Sequence, residues 1–169
     1  MTDTKKQWVL ALVILLVFIL LWIFLYFMMR KPVEKQYDNV SQVTFETRLK
    51  TISTDIQGEK QDDYTKYAID EHSEVYVNYK NNNISKLLLV FDYDNYEEEK
   101  AKGILQEMID ICIPKFEQNE EVATTLMDLK GKEDQLVAND MVFDNIEFFS
   151  RIDREKNKIV FYIYYLDNE

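Results

Sequence analysis

Glu74–Lys100 reads EVYVNYKNNNISKLLLVFDYDNYEEEK, and this stretch decides the class of fold. Val75, Val77 and Tyr79 alternate with more polar neighbours, the period of a strand with one buried face. Lys80-Asn81-Asn82-Asn83 then interrupts the pattern, and ISKLLLVFDY resumes it. Asparagine tolerates the positive φ that tight hairpin turns demand, so the two runs read as a β-hairpin. Asn95 before Tyr96-Glu97-Glu98-Glu99 places an acceptor side chain at a helix N-cap and negative charge in the first turn, where the helix dipole favours it. Ala101, Leu105, Met108 and Cys112, flanked by Ile104 and Ile109, give that helix its buried face, and Pro114 stops it.

Downstream, Val122, Leu126 and Leu129 predict a second helix with Gly131 as its stop. Val142, Ile146, Phe148 and Ile152 mark a strand, Asp153 to Lys158 a polar turn, and Ile159 to Leu166 a last strand of strong β-formers. Upstream, Phe45, Leu49, Ile52 and Ile56 are spaced by four, three and four, which predicts an amphipathic helix over Val40–Ile56 ending at Gly58. The alternation Val43, Phe45, Thr47, Leu49 suits a strand as well. The polar run GEKQDD after it reads as a loop. The expected fold is α+β: an antiparallel sheet of about four strands, in two hairpins, with helices packed on one face.

The N-terminal segment is different in kind. Trp8–Met29, WVLALVILLVFILLWIFLYFMM, carries no charge. As a helix it spans roughly 33 Å, enough for a bilayer core of about 30 Å. Its apolar residues occupy every side, where a core helix keeps a polar face. Lys5 and Lys6 precede it, Arg30, Lys31 and Pro32 follow it, and Trp8 and Tyr26 fit the interfacial aromatic belt. It is longer than a signal-peptide apolar region and ends in bulky Phe27, Met28 and Met29 rather than a small-residue cleavage site. The expected organisation is a basic tail (1–7), a single transmembrane helix (8–29), a juxtamembrane linker (30–39) and one acidic domain (40–169). A short tail with two lysines crosses a membrane less readily than a long domain, which puts the domain on the extracytoplasmic side of the cell membrane.

From Pro32 to Glu169 the chain has thirty Asp and Glu against sixteen Lys and Arg, a formal charge of −14. Such a surface repels phosphate backbones, so nucleic acid is excluded as a partner and peripheral lipid binding is disfavoured, while a basic protein is electrostatically welcome. Three glycines, Gly58, Gly103 and Gly131, lie too far apart for a phosphate-cradling loop or a dinucleotide fingerprint. One histidine and one cysteine cannot supply a Cys/His zinc site. His72 sits in a polar stretch and reads as a solvated turn residue; Cys112 shares an apolar stripe and reads as a structural thiol. Asp92, Asp94, Asn95 and Glu97–Glu99 form the densest oxygen cluster, but the glycine and the bidentate glutamate of a calcium loop are missing. No catalytic residue, cofactor or metal is expected.

One face of the last strand carries Ile159, Phe161, Ile163 and Tyr165, and the other Val160, Tyr162, Tyr164 and Leu166. One side should meet the domain's own helices; the other should meet the Val40–Ile56 segment or a partner. Tyr162 and Tyr164, two residues apart and on one face, are the candidate partner-binding residues. The functional expectation is a non-catalytic protein-binding module held at the cell envelope, of the size of an immunity or inhibitor protein. Two further readings are an accessory subunit of a membrane secretion, transfer or division complex, and an envelope enzyme working through carboxylates.

Overall fold

A computed structural model of the chain describes residues 15–22, 36–52, 54, 56–133 and 135–166. Residues 15–22 are helical, and Leu15 to Trp22 are exposed. Among the described residues no helix is long and apolar enough to cross a membrane. Most of the expected span 8–29 lies outside the described residues, as do the tail 1–7 and residues 30–35.

Lys35–Glu169 forms a compact unit. Its elements in chain order are α1 (Gln42–Leu49), β1 (Gly58–Lys60), β2 (Thr65–Ala68), β3 (Ser73–Lys80), β4 (Asn83–Asp92), α2 (Glu98–Cys112), α3 (Asn119–Met127), β5 (Asn139–Phe143), β6 (Ile146–Asp153) and β7 (Lys158–Tyr165). The fold is α+β, as expected, but the sheet has seven antiparallel strands rather than about four, in the order β1-β2-β3-β4-β7-β6-β5. Two meanders, β1–β4 and β5–β7, are joined through the helices, and β7 returns beside β4 at the centre.

The extra strands are short and peripheral. Gly58–Lys60 falls inside the polar run expected to be a loop; all three residues are exposed, and only backbone pairing to β2 makes them a strand. Val142, expected to share a strand with Ile146, belongs instead to β5. Asp144, at φ 51°, turns the chain so that Phe143 pairs with Ile146. The β3–β4 hairpin closes through Asn81 and Asn82, at φ 53° and 64°, with Lys80 opposite Asn83. Two successive positive φ values are the mark of a type I′ turn, whose twist matches that of the strands.

Helix α1 is confirmed as a helix, though shorter than predicted. Ser41 Oγ caps it by accepting from the Thr44 backbone N–H, and it ends at Leu49, with Ile52 half-buried and Ile56 buried beyond it. Helix α2 begins two residues later than its sequence suggests. Tyr93–Asn95 forms a 3-10 turn and Tyr96 is extended, so Asn95 is not the cap; Glu97 occupies that position without a side-chain bond. The extended backbone at Tyr96 brings its ring edge-on to Phe91, at 6.3 Å between centroids. At the other end α2 stops at Cys112, two residues before Pro114, as the restriction on residues preceding proline requires.

One core joins the three helices to one face of the sheet. Phe45 and Leu49 of α1, Leu105, Met108, Ile109 and Cys112 of α2, and Val122 and Leu126 of α3 are fully buried with Val75, Val77, Leu87, Leu89, Phe148, Phe161 and Ile163. Phe116 is the hub of an aromatic cluster, 5.6 Å from Tyr37, 5.5 Å from Phe143 and 5.5 Å from Phe148. Asn145, itself buried, grips the incoming chain: its Oδ1 accepts from the Tyr37 N–H at 3.0 Å, and its Nδ2 donates to the Tyr37 carbonyl at 3.0 Å.

Candidate functional site

Because side chains alternate along a strand, the face opposite the helices follows from the register. One row crosses six strands as Lys66, Tyr76, Leu88, Tyr162, Phe149 and Asp140. The rows beside it run Glu74, Val90, Val160, Arg151 and Asn78, Lys86, Tyr164, Glu147, Val142. Asp92, Lys158 and Asp153 form the last row. The result is an apolar centre of Leu88, Val90, Val160 and Tyr162, widened by Tyr76 and Phe149 and ringed by charge.

The two candidate tyrosines lie where the alternation places them, on this helix-free face. Tyr162 is half-buried; its ring stacks on Phe149 at 4.0 Å and 14°, and the Lys86 ammonium lies 5.1 Å from its centroid. Tyr164 is 37% exposed. The opposite side of β7 meets the helices, with the Tyr165 hydroxyl donating to the Cys112 carbonyl at 2.6 Å. Helix α1 does not cover the Tyr162 face: Phe45 packs edge-on against Tyr67 within the helix-side core, at 5.7 Å.

A depression of about 500 Å³ runs over the open face, lined by Tyr64, Tyr76, Leu88, Val90, Val160 and Tyr162 with Lys86, Arg151, Lys156, Lys158, Asp63, Asp153 and Asn78. Most of its cations stand near a carboxylate. Lys158 bonds the Asp92 carboxylate, whose own acidity this bond strengthens, and Arg151 and Lys156 share Asp153 at 3.7 and 3.5 Å. Toward the outer strands Lys66 pairs with Glu74 at 2.6 Å, and Tyr64 packs edge-on to Tyr76 at 5.3 Å. The surface thus offers apolar area, aromatic rings and charges of both signs.

The residues considered for chemistry are not brought together. Cys112 is fully buried, and burial pushes its thiol up to about 12, so it stays protonated. His72 is exposed in the β2–β3 turn and faces Asp92, 3.5 Å away, not the thiol. Within the acidic cluster, Asp92 serves Lys158 and Asp94 lies in the 3-10 turn.

Lys86, Leu88 and Phe149 have no signal in the sequence that marks them as neighbours of Tyr162. The run Leu87-Leu88-Leu89-Val90 is apolar on both faces, and only the long-range β4–β7–β6 pairing brings these side chains to one place. Comparison with known families, characterised proteins and solved structures found no match.

Proposed function

We propose that this chain is a non-catalytic protein-binding module, held at the cell envelope by the apolar run Trp8–Met29 as a single transmembrane helix, with its domain on the extracytoplasmic side. The observation that carries the reading is the open sheet face. A seven-stranded sheet with its helices on one side leaves Tyr76, Leu88, Phe149, Val160 and Tyr162, each half-buried, as a contiguous apolar and aromatic surface around the buried Val90. Surfaces of this composition, rimmed by charge, are suited to protein recognition. The domain's size fits an immunity or inhibitor protein, which works by covering another protein rather than by chemistry.

The test uses tagged full-length protein in detergent-solubilised native membranes. Tyr162→Ala combined with Tyr164→Ala should weaken capture of a stoichiometric partner by more than about 2 kcal/mol, the scale of an interface hot spot. Loss of the Phe149 stack should lower domain stability by only about 0.5–1.5 kcal/mol. Undiminished capture by the double variant would remove this face as the binding site.

A further inference from the structure

Going beyond the open face, we propose that the free edge of β5 takes an extended segment of a protein partner as an eighth strand of the sheet, a segment in which basic and apolar residues alternate. The backbone carries the first step. Phe143 pairs with Ile146 across a two-residue turn, so these two exchange hydrogen bonds, and the bonded pairs then recur at Met141–Phe148 and Asn139–Ser150. The N–H and C=O groups of Asp140 and Val142 therefore point away from β6, and β5 is the last strand of the sheet. Among the described residues nothing else bonds them. The usual protection of such an edge is missing: β5 has no proline, no lysine and no register shift against β6. Val142 is 57% exposed, and Leu136, just ahead of the strand, 75%. The opposite edge differs, because β1 is three residues long and carries no apolar side chain.

The two faces of the strand define the occupant. Met141 and Phe143 lie half-buried on the helix side, packed against the core. Asp140 and Val142 lie exposed on the open side, where Val142 stands opposite Glu147 and Asp144 begins the turn. Asp140, Asp144 and Glu147 make no ion pair among the described residues. The cations nearby are engaged elsewhere: Arg151 with Asp153 at 3.7 Å, and Lys132 with Asp128 at 3.1 Å and with Asn139 Oδ1 at 2.6 Å. The edge thus keeps the acidic sign of the whole unit, Lys35–Glu169, which has 29 acidic against sixteen basic residues. An added strand with apolar residues beside Met141 and Phe143, and with lysine or arginine beside Asp140 and Glu147, meets both faces at once. A second copy does not fit, since β5 against β5 brings two acidic units together and supplies no cation opposite Asp140.

A displayed library of peptides of about nine residues, selected on the full-length protein in nanodiscs of zwitterionic lipid and counter-selected on empty nanodiscs, tests this. Enriched peptides should alternate apolar residues with Lys or Arg. In such a peptide, N-methylation of every second residue should abolish binding in one phase and spare it in the other, since only alternate N–H groups of an added strand face β5. Asp140→Lys should weaken binding at least about tenfold, and Val142→Pro, which removes an outward N–H but no ladder bond, by a similar factor, with thermal unfolding showing both variants folded. If Val142→Pro does not fold, the N-methylation phase decides. Tyr162→Ala should leave these peptides bound, which separates the edge from the open face. Peptides lost in Tyr162→Ala but retained in Asp140→Lys would overturn the edge and leave the open face standing. N-methyl groups tolerated equally in both phases, no enrichment over empty nanodiscs, or self-association that protects the Asp140 and Val142 amides from hydrogen exchange would also overturn it.

Discussion

Gly58 lies where a side chain has no room. A Cβ there would come within 2.7 Å of Tyr67 Cε1 and 2.8 Å of Thr65 Cγ2. The Tyr67 ring cannot swing aside, since its hydroxyl is bonded to Glu46 Oε1 at 2.9 Å and to the Tyr79 hydroxyl at 2.9 Å. Gly58→Ala should therefore destabilise the domain by about 1–3 kcal/mol in urea unfolding, the usual cost of overpacking. A change under about 0.5 kcal/mol would mean that the edge strand moves off at no cost. Gly103 is the opposite case: it is exposed on α2, and a Cβ would meet nothing within 4 Å. Gly103→Ala should stabilise by about 0.5–1 kcal/mol, by restricting the unfolded chain and favouring helix. These two glycines look alike in the sequence, because what distinguishes them is a neighbour across a strand pair. Cys112, by contrast, was legible, since an apolar stripe at helical spacing predicts its burial without knowledge of the rest of the fold.

Among the elements, the turn between β2 and β3 is tied to the first turns of α2 by one carboxylate. Burial alone would raise the Asp70 carboxyl. Lys100 at 2.6 Å and the His72 backbone N–H at 2.8 Å more than offset that and hold it at about 2. A folded value below the unfolded one, about 3.9, means that the bond's stabilisation is complete above about pH 4 and is lost as pH falls toward 2. Glu74, paired with Lys66, and Asp92, paired with Lys158, are depressed in the same direction and add to the same acid-side loss. Asp70→Asn should flatten the pH dependence of unfolding free energy between about pH 4 and 2 while lowering stability at pH 7. An unchanged acid slope would show that the Asp70–Lys100 pair is not formed in solution. The elements themselves were legible in proportion to their internal periodicity. The Asn81–Asn82 hairpin, α2 and β7 each carry their own signal, in turn residues or in apolar spacing. β1, β2 and β5 have three to five residues, too few for a period to emerge, and they become strands because a longer neighbour offers backbone partners. Asn95 misled for a related reason: capping chemistry was present, but the Tyr96–Phe91 contact holds the chain extended for two more residues.

At the scale of the whole molecule, the candidate site was only half legible. Alternation along β7 places Tyr162 and Tyr164 together on one face, but whether that face is open depends on where all three helices pack, which no local pattern states. The same separation of levels governs the proposed anchor. An apolar run of 22 residues can be seen in the sequence alone, whereas the independence of the domain behind it is a property of the fold. Lys35–Glu169 has its own core, and its incoming chain is fastened by Asn145 to Tyr37 and by the Asn39 side chain, which donates to the Ile84 carbonyl at 2.8 Å. With 29 acidic against sixteen basic residues, this unit carries a formal charge of −13, enough to keep copies apart despite the apolar strip on the sheet. Removing residues 1–34 should therefore yield a soluble monomer with a single cooperative unfolding transition, checked by light scattering and thermal denaturation. Within that unit, Asn145→Ala should cost about 1–2 kcal/mol, because the Tyr37 N–H and carbonyl lose their partners at a half-buried site. If the truncated protein aggregates at low concentration and neutral pH, the open face is too apolar to be left bare once residues 1–34 are removed. If it is monomeric but Asn145→Ala has no effect, the fold begins at α1 and the preceding residues belong to the linker rather than to the domain.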